Sequence, residues 1–167
     1  MKITNHHSHT FRCKHAHGDA VDYVRVAYEG GASVYGISDH APIPDGRFSE
    51  VRMSLDELDS YEKAVHLAQA EFPEIEVLLG MECEYFPEYQ AFYEDELLGK
   101  RNYDYLIGAG HYTPIDGSWQ DSFNNLNNPK MRKAYCGQLV QMMETGLYAF
   151  IAHPDILGCS NEFWNED

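Results

Sequence analysis

A chain of 167 residues that is 44% hydrophobic and 13% aromatic carries enough apolar material for a core and is not a disordered tail. Twelve basic against twenty-seven acidic residues give a formal net charge of −15, which opposes non-specific binding to nucleic acid or to anionic membranes. An anionic substrate would need locally supplied positive charge, for which bound metal ions are the ready source.

In chain order, a first strand is expected over Lys2 to His7, followed by a histidine-rich loop. Val21, Val24, Ala27 and Tyr28 recur at helical spacing, with Asp19 as N-cap and Gly30-Gly31 as stop. Ser33 to Ser38 reads as the second strand, ending at Asp39-His40. A Pro- and Gly-rich loop spans Ala41 to Met53, and the Ser54-Leu55-Asp56-Glu57 capping box opens a helix running to Phe72, before Pro73. Ile75 to Met81 is an apolar strand leading into Glu82-Cys83-Glu84, a helix is expected over Glu88 to Leu98, and Tyr103 to Gly110 is a fourth strand before His111. After a turn-rich stretch from Thr113 to Pro129 come a helix over Lys130 to Thr145 and a fifth strand over Tyr148 to Ala152, ending at His153. Alternating helices and mostly apolar strands predict an α/β protein with a parallel sheet, and with no linker or repeat the economical reading is one domain over residues 1–167.

No run of about 18 apolar residues is present to span a bilayer. The first residues lack the apolar segment of a signal peptide, and Cys13, Cys83, Cys136 and Cys159 form no Cys-x-x-Cys pair. The expectation is a cytoplasmic enzyme with reduced thiols and no membrane or nucleic-acid partner.

Five of the nine histidines fall between Asn5 and Gly18, at positions 6, 7, 9, 15 and 17, a density that packing does not require. His7 and His9 are two apart, so in extended backbone both imidazoles face one side and can reach one ion. Each of the five expected strands then delivers a His or a carboxylate at its C-terminal end: His7 and His9, His40, Glu82, His111 and His153. Active sites of parallel α/β folds gather at those ends, so the six side chains converge on one mouth. Taken singly, each has an ordinary reading as a capping, loop or hydrogen-bonded residue. His66 is read as a surface residue, His6 as packing against the neighbouring layer, and His17 as a helix-start residue.

The segments His7-Ser8-His9-Thr10, Arg12 to Ala16, Ser38 to Pro42, Gly80 to Tyr85, Gly110-His111 and Ala152 to Ile156 resemble, in order, the successive motifs of the polymerase-and-histidinol-phosphatase (PHP) superfamily, closest to its histidinol-phosphatase branch. The resemblance implies a distorted (β/α)7 TIM-like barrel with two or three divalent ions, zinc, manganese or iron, at its mouth. It implies that His7, His9 and Glu82 bind one ion, that His15 and His40 bind a second, and that Glu82 bridges to a third held by His111 and His153. A carboxylate suits bridging because each of its oxygens can serve a cation, whereas an imidazole offers one lone pair. Glu84 is the weaker candidate, and Cys13 and Cys83 receive no ligand role. The implied reaction is hydrolysis of L-histidinol phosphate to L-histidinol and phosphate, a step of histidine biosynthesis, in which metal ions polarise the ester and supply hydroxide. Arg52 is the candidate phosphate clamp, with Arg12 and Arg47 behind it, since a guanidinium can hold two oxygens at once.

One departure stands out. Family members finish with an Asp-x-His pair after the last strand, and Asn161 to Asp167 contains none. The expectation is therefore a chain with about five of seven βα units, incomplete at its C-terminal end, with oligomerisation open to it. Two alternatives follow: a PHP-type phosphoesterase acting on a phosphotyrosyl protein, nucleotide or other small phosphate ester, and a truncated, non-catalytic metal-binding module.

Overall fold

Apolar strands alternate with helices along the chain, and the structure, a computed structural model that describes residues 2–156, gathers the strands into one parallel sheet. Strand β1 (Ile3–Asn5) precedes helix α1 (Ala20–Glu29), which the Asp19 and Asp22 side chains cap reciprocally. Strand β2 (Ala32–His40) leads to helix α2 (Leu58–Glu71), reached through a 3-10 turn at Ser49–Val51, the Ser54–Glu57 capping box and a second 3-10 turn at Leu55–Glu57. Strand β3 (Glu76–Glu84) is followed by a 3-10 turn at Pro87–Tyr89 and a π-helical segment, Phe92–Lys100, where a plain α-helix was expected. Strand β4 (Tyr105–Ala109) then gives way to an antiparallel hairpin of β5 (Tyr112–Ile115) and β6 (Ser118–Asp121). The short helix α3 (Ser122–Asn125), helix α4 (Pro129–Glu144) and strand β7 (Phe150–Ile151) complete the described chain.

The hairpin corrects the reading of Thr113 to Pro129 as turns alone. Asp116 and Gly117 both adopt positive φ, 51° and 77°, the conformation that a tight two-residue hairpin turn requires. The first strand is also shorter than expected. Beyond Asn5 the chain stays beside β2, but side chains share the pairing: Ser8 N–H donates to Ser38 Oγ at 3.1 Å and Ser8 Oγ–H to Gly36 O at 2.8 Å.

The parallel strands lie in the order β1-β2-β3-β4-β7, without a reversal. Because βα crossovers are right-handed, that order sends every crossover helix to the same side of the sheet. On that side Ile37, Leu79, Met81, Cys83 and Leu106 form one core with Val24, Leu58, Tyr61, Val65, Tyr93 and Leu97. Strand alternation and the register Ser38↔Gly80, His40↔Glu82 and Gly80↔Tyr105 put Gly36, Ser38 and His40, Gly80, Glu82 and Glu84, and Tyr105, Ile107 and Ala109 on the opposite face.

Tyr105 lies across that face, with its hydroxyl donating to His6 O at 2.7 Å. Glycines make room for it: a Cβ on Gly36 would stand 2.0 Å from the Tyr105 hydroxyl oxygen, and one on Gly80 would stand 2.4 Å from Cζ. The metal-ligand candidates occupy the next rungs of the same strands, so this packed ring forms the floor beneath them. Gly36→Ala and Gly80→Ala should each destabilise the protein by about 1–3 kcal/mol through overpacking, read as lower urea midpoints. Tyr105→Phe removes the atom that Gly36→Ala strikes first but leaves the ring carbons that a Cβ on Gly80 strikes at 2.4 and 2.6 Å, so it should restore Gly36→Ala more than Gly80→Ala. Equal restoration of both would contradict this account of the floor.

Candidate metal centre

At the C-terminal ends of the strands, Glu82 is 0% exposed, and its two oxygens divide the histidines between them. Oε2 faces His7 Nε2 at 3.1 Å, His9 Nε2 at 3.3 Å and His40 Nδ1 at 3.1 Å. Oε1 faces His153 Nε2 at 3.3 Å and His111 Nε2 at 3.5 Å. The nitrogens also approach one another, His7 to His9 at 3.2 Å and His111 to His153 at 3.3 Å. A tetrahedral ion with bonds of about 2.0–2.1 Å holds its ligand atoms roughly 3.3–3.4 Å apart. Two triangles therefore have the right edges for a cation: His7, His9 and Glu82 Oε2, and His111, His153 and Glu82 Oε1.

Hydrogen bonding on the far side of the rings strengthens that fit. Glu84, also buried, accepts from His111 Nδ1–H at 2.8 Å, so Nε2 presents a bare lone pair toward Glu82. Asp39 stands 3.4 Å from His9 Nδ1 and does the same more loosely, while Thr10 N–H and His40 N–H donate to its oxygens. Lone pairs aimed at a carboxylate repel unless a cation lies between them. Glu82 Oε1 has no hydrogen-bond partner although it is buried, the signature of an acceptor that serves an ion.

Electrostatics agree. Burial alone would raise the Glu82 carboxyl, but the imidazoles around it, His153 and His7 first and then His40 and His111, hold it well below the usual carboxylate range. Burial drives the His40 imidazole well below its ordinary value, outweighing the attraction of Glu82, so it remains a neutral ligand. Burial also lowers His15, aided by repulsion from His9. For His111 the Glu84 charge and hydrogen bond outweigh burial and raise it.

A cavity of about 410 Å³ opens above these groups, lined by His7, His9, His15, His40, His111 and His153 together with Val51, Arg52, Tyr112, Asp121 and Phe123. His15 sits exposed at its lip, with its ring 5.2 Å from that of His40 and 5.4 Å from that of His9. His9, His15 and His40 could together hold a further ion. All seven expected ligands thus meet at one mouth.

The arginines divide. Arg52 reaches the cavity wall but is 1% exposed, donating to Phe48 O at 3.1 Å and Ala41 O at 3.3 Å, with Glu84 3.6 Å away. Arg12 does not join the site: its guanidinium is tied to Asp19 at 2.7 Å and to Ser60, which anchors the histidine loop to α1 and α2. Arg47 pairs with Asp45 and Glu88 and also lies outside the cavity lining. His6 meets Tyr105 edge-on, His17 gives its carbonyl to Tyr23, and His66 is exposed on α2. Cys159 and Asn161 to Asp167 lie outside the described residues.

Sequence reasoning missed the supporting roles of Asp39 and Glu84, the hairpin side chains Tyr112 and Asp121, and Phe123 on α3. The first two had a usable signal, because a ligating imidazole needs an acceptor for its other nitrogen and acidic neighbours flank His40 and Glu82. The last three had none until the hairpin was seen.

Fold and site together define the class: a parallel α/β protein whose strand ends deliver a carboxylate-centred cluster of histidines that could hold metal ions. The PHP domain family matches residues 5–165, and the chain belongs to that family. It is 32% identical over 134 residues to a Deinococcus radiodurans protein and 31% identical over 146 residues to one from Schizosaccharomyces pombe, both named probable histidinol-phosphatase. These matches take in 80% and 78% of this chain but 48% and 47% of the relatives, so the chain spans about half the length of the curated relatives it matches. Among solved structures, a histidinol phosphate phosphatase from Lactococcus lactis, crystallised with zinc, L-histidinol and phosphate, superposes with a TM-score of 0.77 at 16% identity, over 98% of this chain and 62% of that one. At that identity the likeness speaks for the fold.

Removing a carboxylate that orients a ligating imidazole typically weakens metal binding by about 10–100-fold. Glu84→Gln should therefore weaken zinc binding by that factor in calorimetric titration, whereas Glu82→Gln, which loses an anionic ligand, should cost more. Zinc affinity unchanged in both variants would contradict the site.

Proposed function

We propose that this protein is a metal-dependent phosphoric monoester hydrolase whose substrate is L-histidinol phosphate. The observation that carries the reading is the division of five imidazoles between the two oxygens of one buried carboxylate. Family membership and the names of the relatives support the substrate, since fold by itself does not select one. On this reading residues 1–167 belong to one PHP domain, and the five parallel strands are part of a distorted (β/α)7 barrel.

His7, His9 and Glu82 Oε2 would hold one divalent ion, His111, His153 and Glu82 Oε1 another, and His15 with His40 would complete a set of two or three. When bound, such ions polarise phosphoryl oxygens and make hydroxide available near neutral pH. The chain's own groups do the rest. Glu84 and Asp39 hold His111 and His9 in the tautomers that face the ions. Arg52, fixed by Phe48 O and Ala41 O, adds a permanent positive charge to the wall that the phosphate faces. Among the described residues lining the cavity there is no Ser, Thr or Cys, which suits transfer of the phosphoryl group to water without a protein nucleophile.

The test is phosphate release from L-histidinol phosphate after chelation and reloading with zinc or manganese. Release should vanish on chelation, return with metal, and fall in His9→Ala by more than the roughly 10–100-fold that loss of an outer hydrogen-bond partner costs. Activity that survives chelation, or normal turnover by His9→Ala, would overturn the proposal. Metal-dependent release from phosphotyrosine or a nucleotide in preference would keep the chemistry and replace the substrate.

A further inference from the structure

The metal ligands account for one wall of the cavity; the hairpin supplies another, which phosphate hydrolysis does not use. Asp121 ends β6 and is the one carboxylate among the described residues lining the cavity, since Glu82 lies buried behind the imidazoles. Its oxygens cap the following turn, accepting from Phe123 N–H at 2.8 Å and from the Asn124 side chain, and no Lys or Arg pairs with it among the described residues. A carboxylate has about four acceptor positions, so a capping aspartate still has room for a cation.

Phe123 stands beside it, 39% exposed, with its ring stacked on His111 at 5.5 Å between centroids and 14° between planes. One face of that phenyl ring thus lies against a metal-ligand candidate, and the ring lines the cavity. The backbone around both residues is tied down: Ser122 N–H donates to His111 O at 2.8 Å, and Ser122 Oγ lies 2.9 Å from Thr113 Oγ1. A flat apolar surface next to a carboxylate that no Lys or Arg among the described residues pairs with, in one cavity with Arg52 and the candidate metal ligands, matches a ligand carrying an anionic group at one end and both a ring and a positive charge at the other.

We propose that Asp121 and Phe123 form the subsite that selects the leaving-group end of the substrate. Asp121 takes the protonated amino group through a charge-assisted hydrogen bond, and Phe123 takes the ring by stacking. This inference rests on the phosphoesterase reading above. It adds that the enzyme discriminates amine-bearing phosphate esters from neutral ones through a residue that touches neither the metals nor the phosphate.

Calorimetric titration of the zinc-loaded full chain tests it, with three probes: inorganic phosphate, L-histidinol, and the same imidazolyl alcohol without its amino group. The wild-type protein should prefer L-histidinol to the deaminated alcohol by about ten- to a hundredfold, the worth of a hydrogen bond to a charged group. Asp121→Asn keeps an oxygen to cap the turn and removes only the charge, so it should bind phosphate normally and lose the preference. Phe123→Ala should weaken both alcohols by a similar factor. A preference that persists in Asp121→Asn would assign amine recognition to the zinc ions and overturn the subsite. A wild-type protein that binds phosphate but does not distinguish the two alcohols would overturn the subsite and leave the phosphoesterase reading intact. A zinc-loaded protein that binds no phosphate would overturn both.

Discussion

A carboxylate buried to 0% exposure is costly unless its charge is matched, and in this protein that constraint falls on Glu82. Five imidazole nitrogens surround it, yet one of its oxygens has no hydrogen-bond partner, and His111, whose Nδ1 bonds to Glu84, turns its other nitrogen toward that oxygen. Protonated histidines could compensate such an anion at low pH, and the Glu84 charge raises His111 in that direction, but burial drives His40 the other way. On the proposed reading divalent cations would resolve the arrangement, one on each carboxylate oxygen, and would supply the positive charge that a chain of net charge −15 otherwise lacks for a phosphate ester.

The fold serves this centre in layers. Tyr105 and the two glycines beneath it close the floor, so the groups one rung higher rest on packed side chains. Glu82 and Glu84 are two apart on β3 and point the same way, which lets the first face the clustered imidazoles while the second fixes His111. Asp39, facing away from His40 on the neighbouring strand, reaches His9 and Thr10 and thereby ties the histidine loop to the sheet. The loops beyond β2 and β4 meet through the stacked rings of Phe48 and Tyr112, which joins the Arg52 wall to the hairpin wall of the cavity.

Much of this could be read from the amino-acid order because the rule involved is local. A strand ends where its apolar run ends, and a parallel sheet brings those ends together, so His7, His9, His40, Glu82, His111 and His153 were placed by their positions alone. Caps were equally readable, since Asp19 with Asp22 and Ser54 with Glu57 act over three residues. What escaped depends on partners distant in sequence. Arg12 beside His15 looks like a phosphate ligand until Asp19 and Ser60 are seen to hold it. The hairpin went unread within a turn-rich stretch, because strands as short and polar as Ser118–Asp121 have no apolar alternation to reveal them. Nor does any local pattern disclose that Phe123 will lie on His111.

The central claim is that Glu82 joins two metal ions. X-ray crystallography of the zinc-loaded protein, with anomalous data collected on both sides of the zinc absorption edge, tests it most directly. Two or more zinc ions, one on each oxygen of Glu82 and in contact with the His7–His9 and His111–His153 pairs, is the predicted result. A single ion held by one Glu82 oxygen, or zinc bound away from Glu82, would contradict the account.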